Sequence, residues 1–139
     1  MYRMIIADDE PIECRGLERM VQNCFPNIEL LPSVYNGVQL LQSVSAEKPD
    51  LVNVDNNMPG LNGREAVEIM RMKSMDTKVI INTAYSDFHY IKKALILGAA
   101  DFLQKPMEEE KFREALGRVI AILDKERMET KRTEAFLQK

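Results

Sequence analysis

The chain has 139 residues, 45% of them apolar and 29% charged, with a formal net charge of −3. That is the profile of one ordinary globular domain, long enough to bury a core without disulfides or a structural metal. The mildly acidic balance excludes a broad electrostatic attraction to DNA or to an anionic membrane. The two cysteines, Cys14 and Cys24, and one histidine make no zinc spacing.

The opening MYRMIIADDE has too short an apolar run for a signal peptide, and no stretch approaches the ~20 apolar residues of a membrane span. Arg3 to Ala7 predicts a first strand. Acids and Pro11 follow, and Pro is favoured in a first helical turn, where its missing N–H costs nothing. Cys14, Leu17, Val21 and Cys24 then recur at helical spacing, so both cysteines are expected as buried apolar side chains. Thiols used in this way suit a reducing compartment, and the expected location is the cytoplasm.

Pro26 and Asn27 stop that helix, and Ile28 to Val34 predicts a second strand. Pro32 cannot donate to a ladder, which puts this strand at a sheet edge or gives it an irregularity. Asn36 and Gly37 open a helix carrying Val38, Leu40, Leu41 and Val44, broken by Pro49 and Asp50. Leu51 to Asp55 reads as a central strand, followed by the turn-rich NNMPGLNG. A helix from Arg64 to about Lys73 carries Ala66, Val67, Ile69 and Met70. Lys78 to Thr83 is the fourth strand. Ser86 or Asp87 can cap the next helix, with Ile91, Ala94 and Leu95 on its buried face and Gly98 at its end. His89 is expected at the surface. Asp101 to Gln104 is the fifth strand, and Lys105 and Pro106 precede a long helix from about Glu108.

Strands alternating with helices predict a five-stranded open parallel sheet covered on both faces, an α/β fold with right-handed crossovers. In such sheets the loops after the strand C-termini share one edge, where ligands bind. Phe112, Leu116, Val119, Ile120 and Leu123 form the packing stripe of the last helix. The domain is therefore assigned to residues 1–123. Residues 124–139 are helix formers with few apolar positions. They read as a helical extension with a solvated or frayed end, or as the start of a linker to an output domain; the alternative is a signalling helix that pairs with a second copy, for which the pattern makes a poor coiled-coil seam.

Three acids stand where strands end: Asp8 and Asp9 after the first, Asp55 at the third. Asp8, Asp9 and Glu10 alone would equally suit a helix N-terminus. Two carboxylates ~4 Å apart repel by roughly 4 kcal/mol at an effective dielectric of 20, so a real cluster needs an offsetting charge. A hard divalent cation supplies it, and an all-oxygen set favours magnesium over zinc. Thr83 ends the fourth strand with a hydroxyl, and Lys105 follows the fifth. A carboxylate nucleophile at Asp55, a divalent cation, a hydroxyl and an ammonium make a working set for phosphoryl transfer.

The runs IIADDEP, VDNNMPGLNG, NTAYSDF, LGAADF and LQKP resemble a response-regulator receiver domain of two-component signalling, over residues 2 to 123. The resemblance implies a flavodoxin-like (βα)5 three-layer sandwich of strand order 2-1-3-4-5. It implies that Asp55 is the phosphoacceptor, charged by a partner histidine kinase. Mg2+ would be held by Asp9, Asp55 and the main-chain carbonyl of Asn57, with Asp8 assisting through water. It implies that Lys105 contacts the phosphoryl group, that Thr83 moves to hydrogen-bond it, and that Phe102 changes rotamer as the readout. A plain core aromatic is the alternative for Phe102. The switch would alter the face made by the helix before the fifth strand, that strand and the last helix, including Tyr90, Lys92 and Lys93. Asn57 and Tyr85 would tune phosphate loss, and the Lys105–Pro106 bond would be cis.

The AYSDF run resembles receivers attached to AraC-like helix-turn-helix output domains. The implied partners are the kinase, an output domain on the same full-length chain acting on transcription, and a second copy in a homodimer. This stretch itself would bind neither nucleic acid nor membrane. Such a domain is a signalling module that assists its own phosphorylation and dephosphorylation, not an enzyme. A stand-alone or degenerate receiver acting through protein contacts is the alternative. A haloacid dehalogenase-type phosphatase would need an acid two residues after the nucleophile, where this chain has Asn57. Asn53 and Asn82 depart from the family's aliphatic strand positions. If Asp55 and Thr83 project alike, alternation predicts that these two amides lie on opposite faces and do not satisfy each other.

Overall fold

The structure is a computed structural model that describes residues 1–73, 75–84, 92, 93, 95, 96 and 98–138. Its elements in chain order are β1 (Tyr2–Ala7), α1 (Pro11–Cys24), β2 (Ile28–Leu30), α2 (Gly37–Glu47), β3 (Leu51–Asp55), α3 (Gly63–Met72), β4 (Lys78–Thr83), β5 (Asp101–Gln104) and α4 (Glu109–Leu137). The five strands form one sheet in the order β2-β1-β3-β4-β5. All pairs are parallel, in the register Ala7 beside Val54, Asp55 beside Asn82 and Ile81 beside Phe102. This is the flavodoxin-like α/β arrangement the resemblance implied.

Side chains alternate across each strand, so the sheet has two apolar faces. Met4, Ile6, Leu51, Ile80 and Leu103 pack with Leu17 and Val21 of α1 and with Phe112, Leu116 and Val119 of α4. Ile5, Val52, Val54, Val79 and Ile81 pack with Leu40 and Val44 of α2 and with Ala66, Val67 and Met70 of α3. At the start of α2, Gly37 lies so close to Leu61 that an added Cβ would stand 2.7 Å from the Leu61 carbonyl oxygen. The absence of a side chain there lets the loop before α3 cross the first turn of α2.

Several expectations change in detail. The second strand ends at Leu30, before Pro32, and Val34 joins the sheet only by an isolated bridge to Ala7. Pro32 does lie on the edge strand's exit, as its missing donor requires. Cys14 is buried, but Cys24, at the end of α1, is only half-buried. Val38 is 54% exposed, because it sits at the rim of the α2 stripe set by Leu40 and Val44. Lys92, Lys93, Leu95 and Ile96 are helical, and Leu95 is exposed rather than buried. Ser86, Asp87, His89, Tyr90, Ile91 and Ala94 lie outside the described residues.

The last helix does not stop with its stripe at Leu123. It runs unbroken to Leu137, and its first turn beyond the core is tied to the N-terminal ends of the strands. The Tyr2 hydroxyl donates to Asp124, and the Arg127 guanidinium lies 3.9 Å above the Tyr2 ring. Lys78 meets Glu126 at 2.6 Å, and Arg127 meets Asp50 at 3.6 Å.

Candidate functional site

Asp8, Asp9, Asp55, Asn57, Thr83 and Lys105 stand at the C-terminal edge of the sheet, whereas Phe102 is the second residue of β5. β1 and β3 are neighbours, so Asp8, one residue past the Ala7–Val54 pair, arrives beside Asp55. Carboxylate oxygens of Asp8, Asp9 and Asp55 lie within 4.8 Å of one another. Asp8 and Asp55 are each 2% exposed, whereas Asp9 faces solvent. Three carboxylates converging in this way, with no nitrogen or sulfur donor among them, fit a hard cation such as Mg2+.

Main-chain donors orient the two buried acids. The Glu10 N–H donates to Asp8 Oδ1 at 2.9 Å, and the Asn57 N–H donates to Asp55 Oδ1 at 3.1 Å. Burial pushes the Asp8 carboxyl up to about 6, with the Glu10 N–H opposing and the Asp55 charge adding to the rise. Lys105 reaches across from the end of β5, with its ammonium 2.9 Å from Asp55 Oδ1. Burial alone would lower the Lys105 pKa. The hydrogen bond and charge of Asp55, with the charge of Asp8, hold it above its usual value. The Lys105–Pro106 bond is cis, as the resemblance implied.

Thr83 is buried at the end of β4, and its carbonyl accepts the Lys105 N–H at 2.8 Å. Phe102 is half-buried in β5 beside Ile81. Alternation places Thr83 and Phe102 on the same face of the sheet, the one covered by α2 and α3. Asp55 and Lys105 stand on the other face, so Asp55 and Thr83 do not project alike. Tyr85 lies outside the described residues.

That register also corrects the reading of the two strand amides. Asp55 pairs with Asn82, so Asn53, Asp55 and Asn82 all point to the α1 and α4 face. Asn53 and Asn82 do satisfy each other. Asn82 Nδ2 donates to Asn53 Oδ1 at 2.7 Å, and Asn53 Nδ2 returns a bond to Asn82 Oδ1 at 3.3 Å.

One further residue was not singled out by its sequence. Asn56 is buried directly after Asp55 and secures the whole turn. Its N–H donates to the Asn82 carbonyl at 2.8 Å, its carbonyl accepts the Gly63 N–H at 3.2 Å, and its side chain accepts the Arg64 N–H at 3.3 Å. Asn62 and Glu65 then close a capping box at the start of α3, and Gly60, with φ of 80°, supplies the left-handed bend between Asn56 and that cap. The turn signal NNMPGLNG was visible; which Asn faces inward was not.

The model of the response regulator receiver domain matches residues 4–117. The chain belongs to that family. As a receiver domain of two-component signalling, it resembles several longer proteins. It is 27% identical over 133 residues to the transcriptional regulatory protein YesN of Bacillus subtilis, covering 96% of this chain and 36% of that protein. It is 30% identical over 124 residues to the transcriptional regulatory protein HptR of Staphylococcus aureus (strain NCTC 8325 / PS 47), covering 88% of this chain and 48% of that protein. The receiver thus spans about half or less of the length of these curated relatives. Among solved structures, the receiver domain of AraT, a response regulator from Geobacillus stearothermophilus, superposes with a TM-score of 0.81 at 28% identity, covering 91% of this chain and 98% of that one.

Proposed function

We propose that Asp55 accepts a phosphoryl group from the phosphohistidine of a partner histidine kinase, and that the receiver then shifts between two packings to control an output. The observation that carries this reading is the contact of the Lys105 ammonium with Asp55 at 2.9 Å, beside the converging acids Asp8 and Asp9. A nucleophilic carboxylate, a cation and a cluster able to hold a divalent metal supply the charge neutralisation on which phosphoryl transfer depends.

Asp9, Asp55 and the Asn57 carbonyl would hold Mg2+, with Asp8 assisting through water. Bound there, Mg2+ would neutralise charge on the phosphoryl oxygens. In the transfer, an Asp55 carboxylate oxygen forms a bond to phosphorus as the donor's P–N bond breaks, and the product is an acyl phosphate. Lys105 holds one phosphoryl oxygen, and the Asn57 N–H keeps the acceptor carboxylate oriented.

The added charge and acceptor oxygens give the Thr83 hydroxyl a new partner. Its movement frees space on the face it shares with Phe102, and the ring turns to fill it. The result is a population shift between two states. Residues 1–123 act as the receiver, and residues 124–139 lead toward an output domain of the longer protein. Two of the relatives are named transcriptional regulatory proteins, and on that likeness we assign the output to transcription in the cytoplasm.

Beryllium fluoride, a mimic of the phosphoryl group, tests the acceptor. In the presence of Mg2+, fluorine NMR of the wild-type chain is expected to show protein-bound resonances that Asp55→Asn lacks. Bound resonances that persist in Asp55→Asn would place the acceptor elsewhere.

A further inference from the structure

We propose that Asn82, held by Asn53, is a positioning residue that sets how tightly the acidic pocket binds a divalent cation. This inference rests on the reading of Asp8 and Asp55 as part of the cation site.

Asn53 and Asn82 are each 1% exposed and lie where the apolar sheet face gives way to its acidic edge. Their neighbours in register on this face are the apolar Ile6, Ile80 and Leu103 and, directly beside Asn82, Asp55. Just beyond the amides, toward the sheet edge, opens a cleft of about 360 Å³ lined by Asp8, Asn82 and Lys105 among others. The amide pair is therefore a polar step between the hydrocarbon of the core and two buried carboxylates.

Stability gives no reason for such a step. A buried polar pair gains little over an apolar pair of the same shape, and exchanging both partners can be neutral or stabilising. What the pair adds is a fixed side-chain orientation next to charge. The reciprocal bonds to Asn53 leave Asn82 one orientation, with its dipole fixed on the wall of the cleft that contains Asp8 and Lys105. Its main-chain carbonyl meanwhile accepts the Asn56 N–H at 2.8 Å, at the head of the turn whose next N–H, from Asn57, binds Asp55. The Asn82 side chain thus stands beside Asp55 in the register and shares the wall of the cleft with Asp8. Groups that orient metal-binding side chains from behind commonly change metal affinity tenfold or more. A pair that served only to fix strand register would leave metal affinity alone.

The test uses the full chain as wild type, Asn82→Val, Asn53→Val and the double variant Asn53→Val/Asn82→Val. It measures thermal stability and, by calorimetric titration at neutral pH, affinity for Mg2+. Each single variant leaves a buried amide without its partner and should melt lower. The double variant should recover that loss, yet bind Mg2+ about tenfold more weakly than wild type. Recovery of stability with Mg2+ affinity within about twofold of wild type would overturn the inference and leave the pair a register device. No Mg2+ binding by the wild type would overturn both the inference and the cation-site reading beneath it, so the two failures are distinguishable. Should the double variant not fold, Asn53→Ala frees Asn82 at the cost of a small gap. Weaker Mg2+ binding in that variant, with the fold kept by circular dichroism, supports the inference; unchanged affinity overturns it.

Discussion

The Lys105 ammonium meets Asp55 across a strand that neither residue belongs to. Asp55 ends β3 and Lys105 follows β5, with β4 between them, yet the two charges are 2.9 Å apart. Lys105 therefore occupies the position of a tethered cation, competing with any metal while no phosphoryl group is present. Replacing it has two opposite effects. Lys105→Ala should bind Mg2+ more tightly, because a nearby like charge is gone, and should take up a phosphoryl group from acetyl phosphate more slowly. Calorimetry and intact-mass kinetics on the same preparation check both. Weaker Mg2+ binding would contradict the competition.

Asp8 makes stability depend on pH. Its carboxyl moves from 3.8 to about 6 on folding, chiefly through burial. The folded state therefore holds this proton more tightly than the unfolded chain does. The stabilising contribution is complete below about pH 4 and lost as pH rises through about 6. Without Mg2+, wild type should lose melting temperature between these values relative to Asp8→Asn, which cannot ionise there. Mg2+ should stabilise wild type more above pH 6 than below it. A wild-type curve parallel to that of Asp8→Asn would contradict the assignment.

At the opposite edge, Tyr2 anchors the last helix beyond its apolar stripe. The exposed ion pairs Lys78–Glu126 and Arg127–Asp50 contribute at most about 1 kcal/mol each. The Tyr2 side chain is buried, and its hydroxyl bond to Asp124 is the least solvent-screened of these ties. Tyr2→Phe should cost about 1 kcal/mol. In hydrogen exchange it should deprotect amides from Asp124 to Thr130 while those from Phe112 to Leu123 stay protected. Equal protection of the first stretch in both proteins would show that the helix needs no anchor.

Much of this was legible in the chain because the signals are local. Strand and helix alternate with their own apolar periods, and the chemistry-bearing residues stand where strands stop, so parallel pairing alone gathers Asp8, Asp55, Thr83 and Lys105 at one edge. What was not legible depends on how distant segments align. The Asn53–Asn82 pair follows from the β3–β4 register, and a slip of one residue would send Asn82 to the other face. The expectation that those amides lie apart failed at that point, on the assumption that Asp55 and Thr83 share a face. The tie between Tyr2 and Asp124 joins the two ends of the domain and carries no periodic signal. Val38 and Leu95 are apolar at helical spacing yet exposed, because spacing marks a stripe and not its width.

The central claim is that Asp55 forms the acyl phosphate. Incubation with acetyl phosphate and Mg2+, followed by intact-mass measurement before and after hydroxylamine, tests it most directly. Wild type should gain one phosphoryl group that hydroxylamine removes, and Asp55→Asn should gain none. A modification that resists hydroxylamine, or that Asp55→Asn acquires equally, would contradict the account.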